Sequence, residues 1–173
     1  MAIKKRKLSG TPQQEPRSYE TEHAQLARRA AAEGIVLLKN ENGLLPLAKG
    51  SKLALFGAGA GRTVKGGTGS GDVNERASVS VFQGLTDAGF EITTKEWIEN
   101  YDRRYRQARQ DWKEAILTCQ KELEQKGGLN AFFEAYSTHQ FAMPAGAPVY
   151  KTEADVAVYC VARVAGENAD RFA

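Results

Sequence analysis

Apolar residues come in short dense runs along this chain, set between polar and glycine-rich stretches. Lys52–Gly57 (KLALFG) is apolar without alternation and ends in glycine, the pattern of a strand buried on both faces of a sheet. Ala154–Arg163 (ADVAVYCVAR) repeats that pattern, and Ile35–Asn40 (IVLLKN) reads as a shorter strand. Phe90–Glu96 (FEITTKE) is also rich in strand formers. Helical spacing fills the gaps. Glu20–Glu33 is rich in alanine, with Thr21 placed as N-cap and Gly34 as terminator. Ser78–Gly89 carries Val79, Phe82 and Leu85 on one face and ends at Gly89. Lys52–Glu96 therefore predicts strand, loop, helix, strand, a βαβ unit with parallel strands. Tyr101–Lys126 predicts a long charged helix whose narrow apolar stripe is Tyr105, Trp112, Ile116 and Leu123. A short helix follows within Gly127–Phe141, then a loop through Pro144–Pro148.

The order of elements predicts an α/β fold: a mostly parallel sheet flanked by helices. Three or four strands make a thin sheet, and the chain stops soon after an apolar strand that needs cover on both faces. The domain is therefore expected to be incomplete. Residues 1–18 read as a flexible basic leader, and residues 19–173 as the first part of the α/β domain.

Composition narrows the function classes. The net charge of +3 is local to Lys4, Lys5, Arg6 and Lys7; without them 24 − 4 = 20 basic residues face 21 acidic ones. A nucleic-acid binder carries its charge on a folded face, so nucleic acid is not an expected partner. No apolar run approaches the roughly 18 residues of a membrane span, and no apolar region of a secretory signal follows the basic start. Cys119 and Cys160 stand far apart without CxxC spacing, and His23 and His139 form no ligand set with them. No metal site is expected. Two reduced thiols, with Cys160 buried in its apolar run, fit a cytoplasmic setting.

The chemistry concentrates in Gly57–Asn74 (GAGAGRTVKGGTGSGDVN), where seven of eighteen residues are glycine. Gly57 and Gly59 begin a dinucleotide fingerprint, but Gly61 comes too early and Arg62 holds the third glycine position. A phosphate loop would end in Gly-Lys-Ser/Thr, whereas Lys65 is followed by Gly66 and Gly67. A loop this long in a small domain is seldom without function.

Four stretches occur together in order: AAEGIVLLKNENGLLPL (Ala31–Leu47), KLALFGAGA (Lys52–Ala60), KGGTGSGDVN (Lys65–Asn74) and ARVAGENADR (Ala162–Arg171). This combination resembles the α/β-sandwich domain of glycoside hydrolase family 3, the β-glucosidase-like enzymes, across roughly Glu20–Arg171. The glycine-rich form is similar to members in which the sandwich precedes the catalytic barrel. The resemblance implies a retaining hydrolase of terminal β-linked sugars that works without metal or organic cofactor, with a β-glucoside-like carbohydrate and a (β/α)8 barrel as its partners.

By the same resemblance Glu167 matches the family's general acid/base in the pattern S-G-E-G-x-D-R. The sequence departs from that pattern at Ala165 and Asn168. Lys65, Ser70 and Asp72 are the loop's candidate substrate contacts. Arg163 is a candidate support for Glu167, and Asp170 and Arg171 a candidate ion pair orienting its loop. The nucleophile is missing: the only Asp-Trp pair, Asp111–Trp112, lies in the charged helix. A barrel of about 250 residues has no room here. A non-catalytic truncated remnant or a sugar- or partner-binding module remains open, as does a nucleotide-binding α/β protein.

Overall fold

The computed structural model describes residues 15–67, 71 and 77–166. The chain divides after Pro46 into two compact units, each described by itself.

In the first unit, helix α1 spans Ser18–Gly34 and buries none of its residues. Its N-cap is Arg17 rather than Thr21, and the Arg17 N–H donates to Glu20 Oε2 at 2.7 Å. The early start follows from that capping carboxylate, which satisfies an otherwise orphaned N-terminal donor. The strand expected over Ile35–Asn40 does not form. Its apolar side chains are exposed, Leu38 at 91%. No described segment pairs with it, and an unpaired ladder leaves extended backbone with water as its partner. A 3₁₀ turn, Glu41–Gly43, follows as the Asn-Gly pair predicts, with Asn42 and Gly43 at φ 55° and 63°. The Asn40 amide closes the turn, donating to Leu45 O at 2.8 Å and accepting from Leu45 N at 2.9 Å.

The second unit is built on a three-stranded parallel sheet of β1 (Lys52–Phe56), β2 (Glu91–Ile92) and β3 (Val156–Tyr159), in the order β2-β1-β3. Helices α2 (Val81–Asp87), α3 (Lys95–Gln125) and α4 (Ala131–Thr138) complete it. The α/β class and the parallel pairing agree with the sequence. Strand β1 runs through the centre with Leu53, Ala54, Leu55 and Phe56 all buried, the double burial its unbroken apolar run predicts.

Element lengths depart from expectation for identifiable reasons. Helix α2 begins at Val81 because the Ser80 hydroxyl caps it, accepting from Gln83 N at 3.1 Å, and Gly89 follows its end at φ 89°. Strand β2 stops after two residues because a side chain takes over its pairing. The Thr94 hydroxyl accepts from Leu55 N at 2.8 Å and donates to Leu55 O at 2.7 Å, and Thr94 is fully buried. Both groups that a longer β2 would have paired are thus satisfied. Helix α3 then starts at Lys95, six residues before the expected Tyr101, because Trp97, Ile98 and Tyr101 pack inward on the sheet. The Trp97 ring meets Phe56 edge-on at 5.5 Å and stacks on Tyr101 at 5.8 Å, and its Nε1 donates to Ala147 O at 3.1 Å.

Strand β3 is not covered on both faces. Its exposure alternates, Tyr159 is 64% exposed, and Cys160 is half-buried rather than buried. Among the described residues β3, like β2, is an edge strand, and of its residues Val158 packs against the main core. Farther along α3 a second small core forms against α4, holding Ile116, Ala131 and Ala135. Trp112 anchors it as expected: Nε1 donates to His139 O at 2.6 Å, and its ring meets Tyr136 and Phe141. Asp111 is exposed on the same helix.

Candidate functional site

In an open parallel sheet, ligands collect where the chain leaves the carboxyl ends of the strands. Here β1 and β3 are parallel neighbours paired from Leu53↔Val156 to Phe56↔Tyr159, so the segments leaving them emerge side by side. The first is the glycine loop and the second is Cys160–Gly166, the run that leads to Glu167.

The two segments are in backbone contact, and glycines make this possible. Gly57 has φ 97°, and a Cβ there would overlap the Cys160 carbonyl. The Gly59 N–H donates to Cys160 O at 3.1 Å. Farther out, a Cβ on Gly67 would overlap the Ala165 carbonyl and one on Gly66 the Gly71 carbonyl. The space left by the missing side chains is thus filled by the chain's own backbone, which brings the two loop motifs together from opposite ends of the sequence. Beside this seam burial raises the Cys160 thiol above its ordinary range, which keeps it protonated and weakly nucleophilic near neutrality.

Helix α3 forms the other wall. A cleft of about 530 Å³ lies between the outer loop and this helix, lined by Thr63–Gly67 and Gly71, by Arg106, Arg109, Gln110 and Lys113, and by Arg62, Tyr105 and Val164. Positions 106, 109, 110 and 113 share one face by helical spacing. The Arg62 guanidinium lies 4.7 Å over the Tyr105 ring, and its Nε is 3.6 Å from Asp102 Oδ1. Asp102 also faces Arg106 at 3.7 Å, while Arg109 stacks on Trp112 and Phe141.

Of the residues singled out in the sequence, Lys65 is exposed and lines this cleft. Arg163 is exposed on the segment leaving β3. Ser70, Asp72, Glu167, Asp170 and Arg171 lie outside the described residues. Among the described residues no group of three His, Cys, Asp or Glu side chains could hold a metal ion. Sequence reading missed the contribution of α3. Tyr105 packs against the main core, as its place in the apolar stripe predicts, and also carries Arg62 on its ring; the cationic spacing 106, 109, 113 was the available signal for the wall.

The model of the glycosyl hydrolase family 3 C-terminal domain matches residues 35–173. Beta-glucosidase A of Butyrivibrio fibrisolvens is 45% identical over 71 residues, covering 41% of this chain and 9% of that protein. Thermostable beta-glucosidase B of Acetivibrio thermocellus is 37% identical over 79 residues, 46% of this chain and 10% of the relative. A longer match, to a probable beta-glucosidase D of Aspergillus oryzae, is 31% identical over 152 residues, 86% of this chain and 20% of the relative. Among solved structures, beta-glucosidase 3B from Thermotoga neapolitana in complex with α-D-glucose is 43% identical, with a TM-score of 0.45 over 50% of this chain and 12% of that one. The chain thus spans a fifth or less of the length of these relatives. On the family match, the chain belongs to the C-terminal domain family of glycosyl hydrolase family 3.

Proposed function

We propose that this chain is the part of a retaining β-glucosidase-like hydrolase that supplies the general acid/base, Glu167, and one wall of the sugar cleft. The observation that carries the reading is the contact of Gly67 with Ala165, two residues before Glu167, at the carboxyl ends of paired parallel strands. Membership of the family and the names of its β-glucosidase relatives support the reaction class.

In such a reaction one carboxyl group protonates the departing glycosidic oxygen and then, as carboxylate, takes a proton from the attacking water. A second carboxylate, about 5–5.5 Å away, bonds to the anomeric carbon and is released in the second step. We assign the first role to Glu167 and the second to an aspartate of a (β/α)8 barrel, in the same polypeptide or in trans. Lys65 faces the sugar from the glycine loop, with Ser70 and Asp72 as its companions, and Arg163, Asp170 and Arg171 support the Glu167 loop.

The test is a chimaera: residues 35–173 replace the corresponding segment of the Butyrivibrio β-glucosidase A. Turnover of an aryl β-glucoside is expected, with a loss of at least about 100-fold in Glu167→Gln. Full activity in Glu167→Gln would remove the acid/base assignment.

A further inference from the structure

We propose that Arg62 is a positioning residue, which fastens the outer glycine loop to helix α3 and so holds Gly66 and Gly67 against the segment leaving β3. Its catalytic consequence rests on the assignment of Glu167 above, but the latch itself stands on geometry alone.

Residues 61 and 62 land on three positions of one α3 face, Ile98, Asp102 and Tyr105. A Cβ on Gly61 would meet Ile98 Cγ2 at 2.5 Å, so the backbone lies directly on the helix. The next residue adds the guanidinium, over the Tyr105 ring at 4.7 Å with Nε 3.6 Å from Asp102 Oδ1. A planar cation can stack and face a carboxylate at once, which the compact ammonium of lysine does less well. Asp102 Oδ1 is itself buried and has no hydrogen bond among the described residues; Arg62 faces this oxygen at ion-pair distance, while Arg106 faces Oδ2 at 3.7 Å.

The base of the loop has separate anchors, since Gly57 and Gly59 rest on Cys160. The sheet therefore does not depend on Arg62, whereas the stretch from Thr63 to Gly67 is held at one end by this latch and at the other by Ala165. Loss of the latch would release the cleft wall that carries Lys65 without opening the core.

Amide hydrogen exchange in the 173-residue chain tests the latch. Arg62→Met keeps the stem and removes the charge and the plane. Exchange at Val64–Gly67 is expected to rise roughly ten-fold, as loss of a cation–π contact and a partly exposed ion pair implies, with Leu53–Phe56 unchanged. Asp102→Asn should loosen the same amides, and Arg62→Lys should restore part of the protection. Unchanged exchange at Val64–Gly67 in both Arg62→Met and Asp102→Asn would overturn the proposal.

The chimaera supplies the readout that stability alone would not move. A displaced general acid matters most for a poor leaving group. Arg62→Met should therefore lower kcat/KM for an alkyl β-glucoside several-fold more than for a dinitrophenyl β-glucoside. An equal loss on both would reduce Arg62 to a structural role. If Glu167→Gln itself shows no such selectivity, the acid/base assignment fails, and the exchange result still decides the latch.

Discussion

Tyr101 shows how one atom can sit against the grain of its surroundings. Its side chain stacks on Trp97 in the main core, yet its hydroxyl is buried with no hydrogen-bond partner among the described residues. A buried polar group left unpaired costs about 1–3 kcal/mol. Tyr101→Phe removes that atom and keeps the ring, so the substitution is expected to stabilise the chain by about 1 kcal/mol, read as a higher urea midpoint at neutral pH. Burial also raises the phenol above the ordinary 10.0, helped by the neighbouring Tyr105 and Tyr159 and opposed by Arg104. The folded state therefore holds the proton more tightly than the unfolded one. This contribution is complete below about pH 10 and is lost as pH rises through the folded value. Stability of Tyr101→Phe should fall less between pH 9 and 11 than that of the parent chain, as thermal melts across that range would show.

At the scale of elements, the decisive feature is the hand-over from β2 to Thr94. One hydroxyl satisfies both backbone groups of Leu55 in a site without water access. Thr94→Val keeps the shape and strands two buried groups, so a loss of about 2–4 kcal/mol is expected, with Thr94→Ser close to the parent in denaturant midpoint. This contact also explains what the sequence could not disclose. The continuous apolar run of β1 announced a doubly buried strand, and the glycine positions announced a loop of special backbone. Nothing in FEITTKE distinguishes a seven-residue strand from two residues of strand followed by a threonine acting in its place. Pattern likewise placed IVLLKN in a sheet, because apolar periodicity reports a wish for cover and not the presence of a partner. The α3 wall was hidden for a related reason. The sequence marks this helix only as charged beside a narrow apolar stripe, and it is the fold that shows the glycine loop lying across from its arginines.

For the whole molecule, the open side of β3 matters most. Tyr159, which ends β3, and Val161, on the segment leaving it, are 64% and 75% exposed; among the described residues β3 is an edge strand, and an apolar edge invites pairing with other chains. The purified chain is expected to gain apparent mass with concentration in light scattering, and Val161→Lys should reduce that gain. A constant monomer mass over the same concentrations would contradict it. The separation of the paired strands has another effect, on synthesis. Phe56 lies across from Tyr159, and 159 − 56 = 103 positions separate them. At ~5–20 residues per second, a ribosome releases β3 roughly 5–20 s after β1. Helices α3 and α4, whose contacts are local, can meet during that interval, while the most buried strand among the described residues waits for its neighbour. The nascent chain thus carries KLALF without its β3 partner for seconds, and that interval makes β1 the natural segment for a chaperone to grip.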